Sequence, residues 1–306
     1  MIPKYAMIEP TTVCNLKCIS CFREDMIKSK KISVGSFSLE SLEKIHSQLP
    51  NLEHIRFHGM GELFLLKNHV EFIEKLRQLY PKAWVELVTN GQYEYTDVAK
   101  IAKLINRLTF SMSGFDKKSY EEHHINGKWE RFIDNIGKFA KFKDSISLEI
   151  NYVCTVSNSK NLLLALETCK QLGINVLRIN LYQDWGEKNE LSMQVMKDNV
   201  NDIQQTIQKG KDAGLNVLLM GNSSFDVSGC QWMDERILIA YNGDILPCCM
   251  RPDHHLSLGN LFKDNIENIW NSNKTQNLRK LRSKNNLDFC RHCPYKENIP
   301  ILKGVL

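Results

Sequence analysis

The sequence predicts an α/β fold: a partial (β/α)6 barrel followed by a small C-terminal module. Three observations predict it. Short apolar runs, often β-branched, alternate with helical patterns through the first two-thirds of the chain. The strand–helix units number six, short of the eight that close a barrel. After about Gly221 the alternation stops, and a hairpin signal leads into a loop-rich segment that holds five cysteines.

Strands are expected at Ala6–Glu9, His54–His58, Trp84–Thr89, Leu108–Met112, Ser147–Cys154 and Val176–Leu181. Between them, Leu39, Leu42, Ile45 and Leu49 repeat near 3.6 and Pro50 closes that helix. Val70, Ile73, Leu76 and Leu79 repeat in the same way ahead of Pro81, and Phe132, Ile136, Phe139 and Ala140 share one face of a third helix. Further helices are expected at Thr96–Ile105, Lys160–Leu172 and about Met193–Ala213, with a seventh apolar strand at Asn216–Met220. Such repetition implies a parallel sheet with right-handed crossovers, and functional groups at the carboxyl edge of the strands. Arg236–Tyr241, Asn242-Gly243 and Asp244–Leu246 read as a hairpin, the Asn-Gly pair favouring a type I′ turn. A helix at Ile266–Trp270 and a polar stretch rich in Asn, Lys and Ser follow.

The composition is that of a globular chain. Of 306 residues 42% are apolar and 25% charged, which excludes collagen-like and disordered classes. The length suits two domains, with boundaries expected at 1–220 and 221–306. A net charge of +5 is too diffuse to argue for nucleic acid. No uncharged apolar run approaches the ~20 residues of a membrane span, and the first residues, MIPKYAMIEP, lack the apolar stretch of a signal peptide. A cytoplasmic chain with no membrane partner is expected.

The ten cysteines are the anomaly. In a reducing compartment, clustered cysteines point to metal or redox chemistry. Cys14-x3-Cys18-x2-Cys21 falls directly after the first strand. Three thiolates at that spacing can hold three irons of a 4Fe–4S cube and leave the fourth open to a cofactor or substrate. A structural zinc site is the plainer alternative, but it needs a fourth ligand, and the next histidine is His46. At the other end, Cys230, Cys248, Cys290 and Cys293 follow a C-x17-C-x41-C-x2-C pattern, enough to saturate one further cube. A four-cysteine zinc ribbon would want two C-x2-C knuckles, and only one is present. Cys249 is left beside Cys248 as a spare thiol, an alternative ligand or a hydrogen-atom donor. Cys154 and Cys169 stand alone and read as small buried hydrophobes.

The triad after the first strand resembles the radical S-adenosylmethionine (radical SAM) superfamily, and loop motifs in register strengthen the likeness. Gly59-Met60-Gly61-Glu62 follows the second strand, where that family has a Gly-rich turn whose Glu holds the methionine amino group. Thr89-Asn90-Gly91 ends the third strand near the cofactor, and Ser111 and Ser113 end the fourth, where polar groups meet the ribose. Gly59, Gly61, Glu62, Thr89, Asn90, Ser111 and Ser113 are therefore the implied cofactor residues. Two positions depart from the family pattern. Ser20 stands where a bulky residue often packs on adenine, with Phe22 as a possible substitute, and Leu63 replaces the usual Pro after the Glu.

The C-terminal cysteines resemble the auxiliary-cluster modules called twitch and SPASM, of the type found in the aminocyclitol dehydrogenase of butirosin biosynthesis. The resemblance implies two 4Fe–4S clusters, S-adenosylmethionine and a flavodoxin- or ferredoxin-like reductant. One-electron cleavage of the cofactor would give a 5′-deoxyadenosyl radical that takes hydrogen from an unactivated carbon. Because the triad begins at residue 14, a sugar, aminocyclitol or other small metabolite is expected ahead of a peptide. Epimerisation is the leading reaction, with Cys249 returning hydrogen as a thiol is thought to do in neomycin C epimerase. Dehydrogenation of a secondary alcohol, with the auxiliary cluster taking the electron, and peptide modification are the alternatives. A non-catalytic metal-binding protein is a remote one, since it would need no methionine clamp.

Overall fold

The computed structural model describes residues 2–155, 157–182, 200–220, 230, 232–284 and 286–290. Seven strands run in sequence order: β1 (Tyr5–Ile8), β2 (His54–Phe57), β3 (Trp84–Thr89), β4 (Arg107–Ser111), β5 (Ser147–Cys154), β6 (Val176–Leu181) and β7 (Asn216–Met220). Each pairs in parallel with the next. Sequential order with right-handed crossovers places every crossover helix on one face of the sheet. Those helices include α2 (Leu39–Gln48), α3 (His69–Leu79), α4 (Val98–Leu104), α6 (Trp129–Ala140), α7 (Leu162–Gln171) and α8 (Val200–Asp212). The core lies between them and the sheet. Ile8, Phe57, Leu87, Phe110 and Ile150 of the strands join Leu42, Phe72, Leu76, Phe132 and Phe139 of the helices in one buried cluster. The sheet with its helices is the expected partial barrel.

The strands fall within a residue or so of their expected bounds, because each carries an uninterrupted apolar row facing the helices. Three helices were not anticipated. They are α1 (Arg23–Lys28), α5 (Lys117–His123) and α10 (Asn273–Ser283). All three are polar and short of apolar periodicity. In α10 only Thr275 and Arg282 are buried, so its sequence reads as a polar stretch. Capping is what marks two of them: Asp116 Oδ1 accepts the Ser119 N–H at 2.7 Å and Ser272 Oγ accepts the Thr275 N–H at 3.2 Å. The helix expected from Met193 is described from Val200 onward, and residues 193–199 lie outside the described residues. α9 (Ile266–Trp270) matches its expected bounds.

The hairpin is present as β8 (Arg236–Ile239) and β9 (Asp244–Leu246), but its turn differs from expectation. Gly243 has φ +88°, whereas Asn242 is not left-handed. The Gly243 N–H bonds to Ala240 C=O at 2.8 Å and the Ala240 N–H to Asp244 C=O at 2.9 Å. This is a three-residue loop with a G1 bulge, in which only the glycine needs positive φ. A second difference is topological. β8 pairs in parallel with the free side of β1, so the hairpin and β10 (Gly259–Asn260) extend the barrel sheet rather than forming a sheet of their own. Among the described residues, no helix is long and apolar enough to cross a membrane.

Residues that alternate with the core row face the concave side, by the two-residue period of a strand. Low on that side runs a ladder of opposite charges, Arg56, Glu86, Arg107, Glu149 and Arg178, one from each of β2 to β6. Arg107 Nη1 lies 2.5 Å from Glu86 and its Nε 2.8 Å from Glu149, while Arg178 Nε reaches Glu149 at 2.5 Å. His54 Nε2 adds a contact to Glu86 at 2.8 Å. Burial alone would raise the Glu86 carboxyl, but the His54 hydrogen bond and the Arg56 and Arg107 guanidinium groups outweigh it and hold the group at about 2. A depressed folded-state pKa stabilises the protein above the unfolded value of 4.5 and loses that contribution as pH falls toward about 2. Glu86→Gln should therefore destabilise the fold at pH 7 by roughly 3 kcal/mol in urea unfolding. The gap to the wild type should narrow steadily below pH 4.5. A gap that is unchanged between pH 7 and the acid limb would contradict this origin for the shift.

Candidate active site

The loops that leave β1 to β4 converge at the carboxyl edge of the sheet, and they carry the residues singled out above. The turn after β2 is clamped onto the cysteine loop. The Glu62 N–H bonds to Val13 C=O at 2.9 Å. A Cβ on Gly61 would lie 2.3 Å from Thr11 O and 2.7 Å from Val13 O, so only glycine lets the two backbones approach this closely. Gly59 packs against the side chain of Glu9, at the end of β1, whose Oε1 accepts the Met60 N–H at 2.7 Å. Burial pushes the Glu9 carboxyl up to about 7.

Glu62 is 3% exposed. Its Oε1 accepts from the Phe64 N–H at 3.2 Å and the Thr89 hydroxyl at 2.9 Å, and its Oε2 from the Asn90 N–H at 2.7 Å. Burial still lifts the carboxyl to about 7, against those three hydrogen bonds. A desolvated carboxylate in this state gains from an arriving cation such as an ammonium group. Thr89 and Asn90 thus support Glu62, and the Asn90 amide also reaches Asn15 Oδ1 at 2.8 Å and Cys14 Sγ at 3.8 Å. Of the two serines, Ser113 is buried. Its hydroxyl accepts the Val153 N–H at 3.3 Å, and its carbonyl accepts from Asn158 at 3.2 Å. Ser111, at the end of β4, is half-buried.

The cysteine loop rests on a segment the sequence did not flag. The Ile19 N–H bonds to His123 C=O and the Lys17 N–H to Ile125 C=O, both at 3.0 Å. Cys18 Sγ lies 3.2 Å from His124 Nδ1, and Ser20 Oγ 2.8 Å from His123 Nε2. Ser20, at the position where the family often has an adenine-packing residue, is therefore engaged by a histidine. Burial holds His124 well below the usual imidazole range, so its ring is neutral. The only sequence signal for this cradle was the adjacent pair His123-His124, which has no periodicity or motif around it. Cys14, Cys18 and Cys21 are half-buried, and burial raises the Cys14 thiol. Among the described residues, no three His, Cys, Asp or Glu side chains converge as ligands of one metal ion. Three cysteines on a cube bind three different irons and need no such convergence.

At the C-terminal end, Cys230, Cys248 and Cys249 are half-buried, and Cys290 is buried beside Met233 and Leu287. Cys293 lies outside the described residues. The chain turns after β9, and the Cys249 thiol hydrogen-bonds to Cys248. That bond and the backbone N–H groups of Met250 and Arg251 lower the Cys248 pKa and favour its thiolate. Cys249 itself packs against Met7, Leu238, Ala240 and Leu246, alongside Tyr5 and Trp232. Met7 alternates with the core residues Ala6 and Ile8, so this cluster lies on the concave face. Cys154 and Cys169 are fully buried, as expected, and burial pushes the Cys154 thiol up to about 12.

Comparison with known proteins identifies the arrangement. The profile of the radical SAM superfamily matches residues 8–159, and that of the SPASM iron–sulfur cluster-binding domain matches residues 230–294. The chain belongs to the radical SAM superfamily and carries a SPASM domain. It is similar to the antilisterial bacteriocin subtilosin biosynthesis protein AlbA of Bacillus subtilis (strain 168), 23% identical over 95% of this chain and 64% of that protein. The chain thus spans less than two-thirds of that relative's length. Streptococcus suis SuiB bound to S-adenosylmethionine superposes with a TM-score of 0.74 at 20% identity, covering 96% of this chain and 72% of SuiB. Native anSMEcpe with bound AdoMet and Cp18Cys peptide gives 0.73 at 20% identity, covering 95% and 88%.

Radical SAM and SPASM domains each bind a 4Fe–4S cluster, and S-adenosylmethionine is bound in these matched structures. The residues of this radical SAM protein fit those groups. A buried carboxylate is ready for an ammonium, a glycine cradle closes beneath it, and thiols with N–H donors flank the cysteine loop. Glu62→Ala should weaken S-adenosylmethionine binding by about one to two decades, the worth of a charge-assisted hydrogen bond. Gly61→Ala should impair it as well, by prying the turn from the Val13 carbonyl. Equilibrium dialysis of the reconstituted variants checks both, and unchanged affinity for Glu62→Ala would show that another group holds the ammonium.

Proposed function

We propose that this chain is a radical SAM enzyme that removes a hydrogen atom from a carbon of a peptide and returns hydrogen through Cys249, epimerising that carbon. The observation that carries the reading is the seat of Cys249 among Met7, Leu238, Ala240 and Leu246 on the concave face. There a thiol can meet a substrate held above the sheet. The substrate class draws on the comparisons. AlbA is a bacteriocin biosynthesis protein by name, and SuiB and anSMEcpe superpose on this chain in forms that hold the precursor peptide SuiA and the Cp18Cys peptide. A peptide thereby replaces the sugar or aminocyclitol as the favoured substrate.

Bound together, a 4Fe–4S cluster and S-adenosylmethionine supply a 5′-deoxyadenosyl radical that takes hydrogen from an unactivated carbon. The chain's own residues do the rest. Cys14, Cys18 and Cys21 would hold the first cluster, and Cys230, Cys248, Cys290 and Cys293 the second. Glu62 would receive the methionine ammonium, with Thr89 and Asn90 fixing its carboxylate. Ser111 would meet the ribose, while Ser113, bonded to Val153 and Asn158, would hold the loop after β4. At Cys249 the S–H bond breaks homolytically, and a new C–H bond forms on the opposite face of the substrate carbon. This runs downhill because an S–H bond is weaker than an alkyl C–H bond. The thiyl left on Cys249 regains the thiol with one electron, from a flavodoxin- or ferredoxin-like donor, and one solvent proton.

Anaerobically reconstituted protein should hold about eight irons and eight sulfides, and replacing Cys14, Cys18 and Cys21 together by Ala should leave about four of each. Saturation at one cube with stoichiometric zinc would remove the auxiliary cluster.

The reaction is tested with peptides encoded by reading frames flanking the gene. Wild-type protein run in deuterated water should place one deuterium on an inverted carbon. Cys249→Ala should keep both clusters and still form 5′-deoxyadenosine, yet incorporate no deuterium. A product oxidised by two electrons, formed equally well by Cys249→Ala, would instead make the enzyme a dehydrogenase.

A further inference from the structure

His124 sits at the end of α5 with both ring nitrogens committed. The backbone N–H of Ser113 donates to its Nε2 at 3.0 Å. A backbone amide can only donate, so Nε2 accepts, and the ring proton is on Nδ1. Nδ1 lies 3.2 Å from Cys18 Sγ, so this contact is an N–H···S hydrogen bond directed at the thiol. The ring cannot swing away. It is 3% exposed and stacks on Tyr120 with centroids 4.5 Å apart. Tyr120 is pinned in turn, its hydroxyl accepting from the Gln92 amide at 3.1 Å and donating to Asn90 C=O at 3.3 Å. The thiol is held as firmly, because the cysteine loop hydrogen-bonds to the backbone of His123 and Ile125 on either side of His124.

We propose that His124 is a positioning residue that sets the reduction potential of the N-terminal cluster by donating its Nδ1–H to the Cys18 thiolate. The proposal rests on the assignment of Cys18 as a cluster ligand. A hydrogen bond to a ligating sulfur withdraws charge from it, which favours the reduced cluster, the more negative form. Asn90 offers Cys14 a second donor, but at 3.8 Å it is the weaker of the two. Because the Nε2 of the same ring is held by Ser113, the hydrogen bond also ties the cluster loop to the loop that follows β4. Movement of that loop on cofactor binding would be felt at the Cys18 sulfur.

The experiment is an EPR-monitored redox titration of the reconstituted holoenzyme, following the reduced-cluster signal that changes on addition of S-adenosylmethionine. Only the open-iron cluster responds to the cofactor, so the auxiliary cluster serves as an internal control. In His124→Phe the responsive signal should titrate at a lower potential, with a several-fold higher ratio of oxidised to reduced cluster at the wild-type midpoint, while the control signal stays in place. His124→Gln, which keeps an N–H donor, should recover much of the shift. Equal midpoints for wild type and His124→Phe at full iron content would overturn the proposal.

A second measurement needs no variant. Wild-type protein labelled with 15N-histidine should show a 15N hyperfine coupling to the responsive cluster in pulsed EPR, and its absence would also overturn the proposal. If the responsive signal survives replacement of Cys14, Cys18 and Cys21 by Ala, it is the ligand assignment that fails and not the hydrogen bond.

Discussion

Buried at the head of the sheet, the Glu62 carboxylate accepts hydrogen bonds from Phe64, Thr89 and Asn90, while its own N–H is spent on Val13. Those four bonds join the turn after β2, the end of β3 and the cysteine loop after β1. The rest of the site depends on this junction. It sets the height of the cysteine loop above the sheet, and it aims Asn90 at Asn15 and Cys14. It also leaves a carboxyl so desolvated that its pKa stands at about 7. Such a site is suited to a cation, because a buried carboxylate with no counter-ion costs more than one that is paired.

The opposite end of the sheet solves a similar problem without a ligand. Arg56, Glu86, Arg107, Glu149 and Arg178 alternate in sign across β2 to β6, so each carboxylate at the base of the concave face is flanked by guanidinium groups. Ion pairs of this kind stabilise little over an apolar alternative, but removing one member leaves its partners buried and unpaired. They keep the floor polar and ordered, while the carboxyl edge is left to bind and react.

The addition of β8 to the free side of β1 changes how the two cysteine groups relate. β1 delivers the first group and β9, next to β8, delivers Cys248 and Cys249. Because β9 runs antiparallel to β8, Cys248 and Cys249 leave the sheet at the amino end of β1, the edge opposite the first group. At the turn end of the hairpin, Tyr241 packs on Gly35 and its hydroxyl meets Ser33, tying the turn to the segment just beyond the first cysteine group. A radical SAM domain and a SPASM domain share a framework here, which fixes Cys249 on the concave face.

The strand–helix alternation, the spacing of both cysteine groups and the Gly-rich turn with Glu62 are legible in the amino-acid order. These are local properties: apolar periodicity, ligand spacing and turn chemistry are all written within a few residues of one another. Tertiary structure alone decided the rest. Whether β8 adds to β1 depends on an open sheet edge that no local pattern encodes. The type of the hairpin turn depended on Phe262 and Asn260, which lie against Gly243 from a later segment. His123 and His124 are separated from Cys18 by more than a hundred residues, and polar α5 offered no periodicity to place them. Their role follows from hydrogen bonds whose donors and acceptors meet only once β4 and the cysteine loop are packed side by side, since the direction of a hydrogen bond is set by where two groups stand in space and not by their order along the chain.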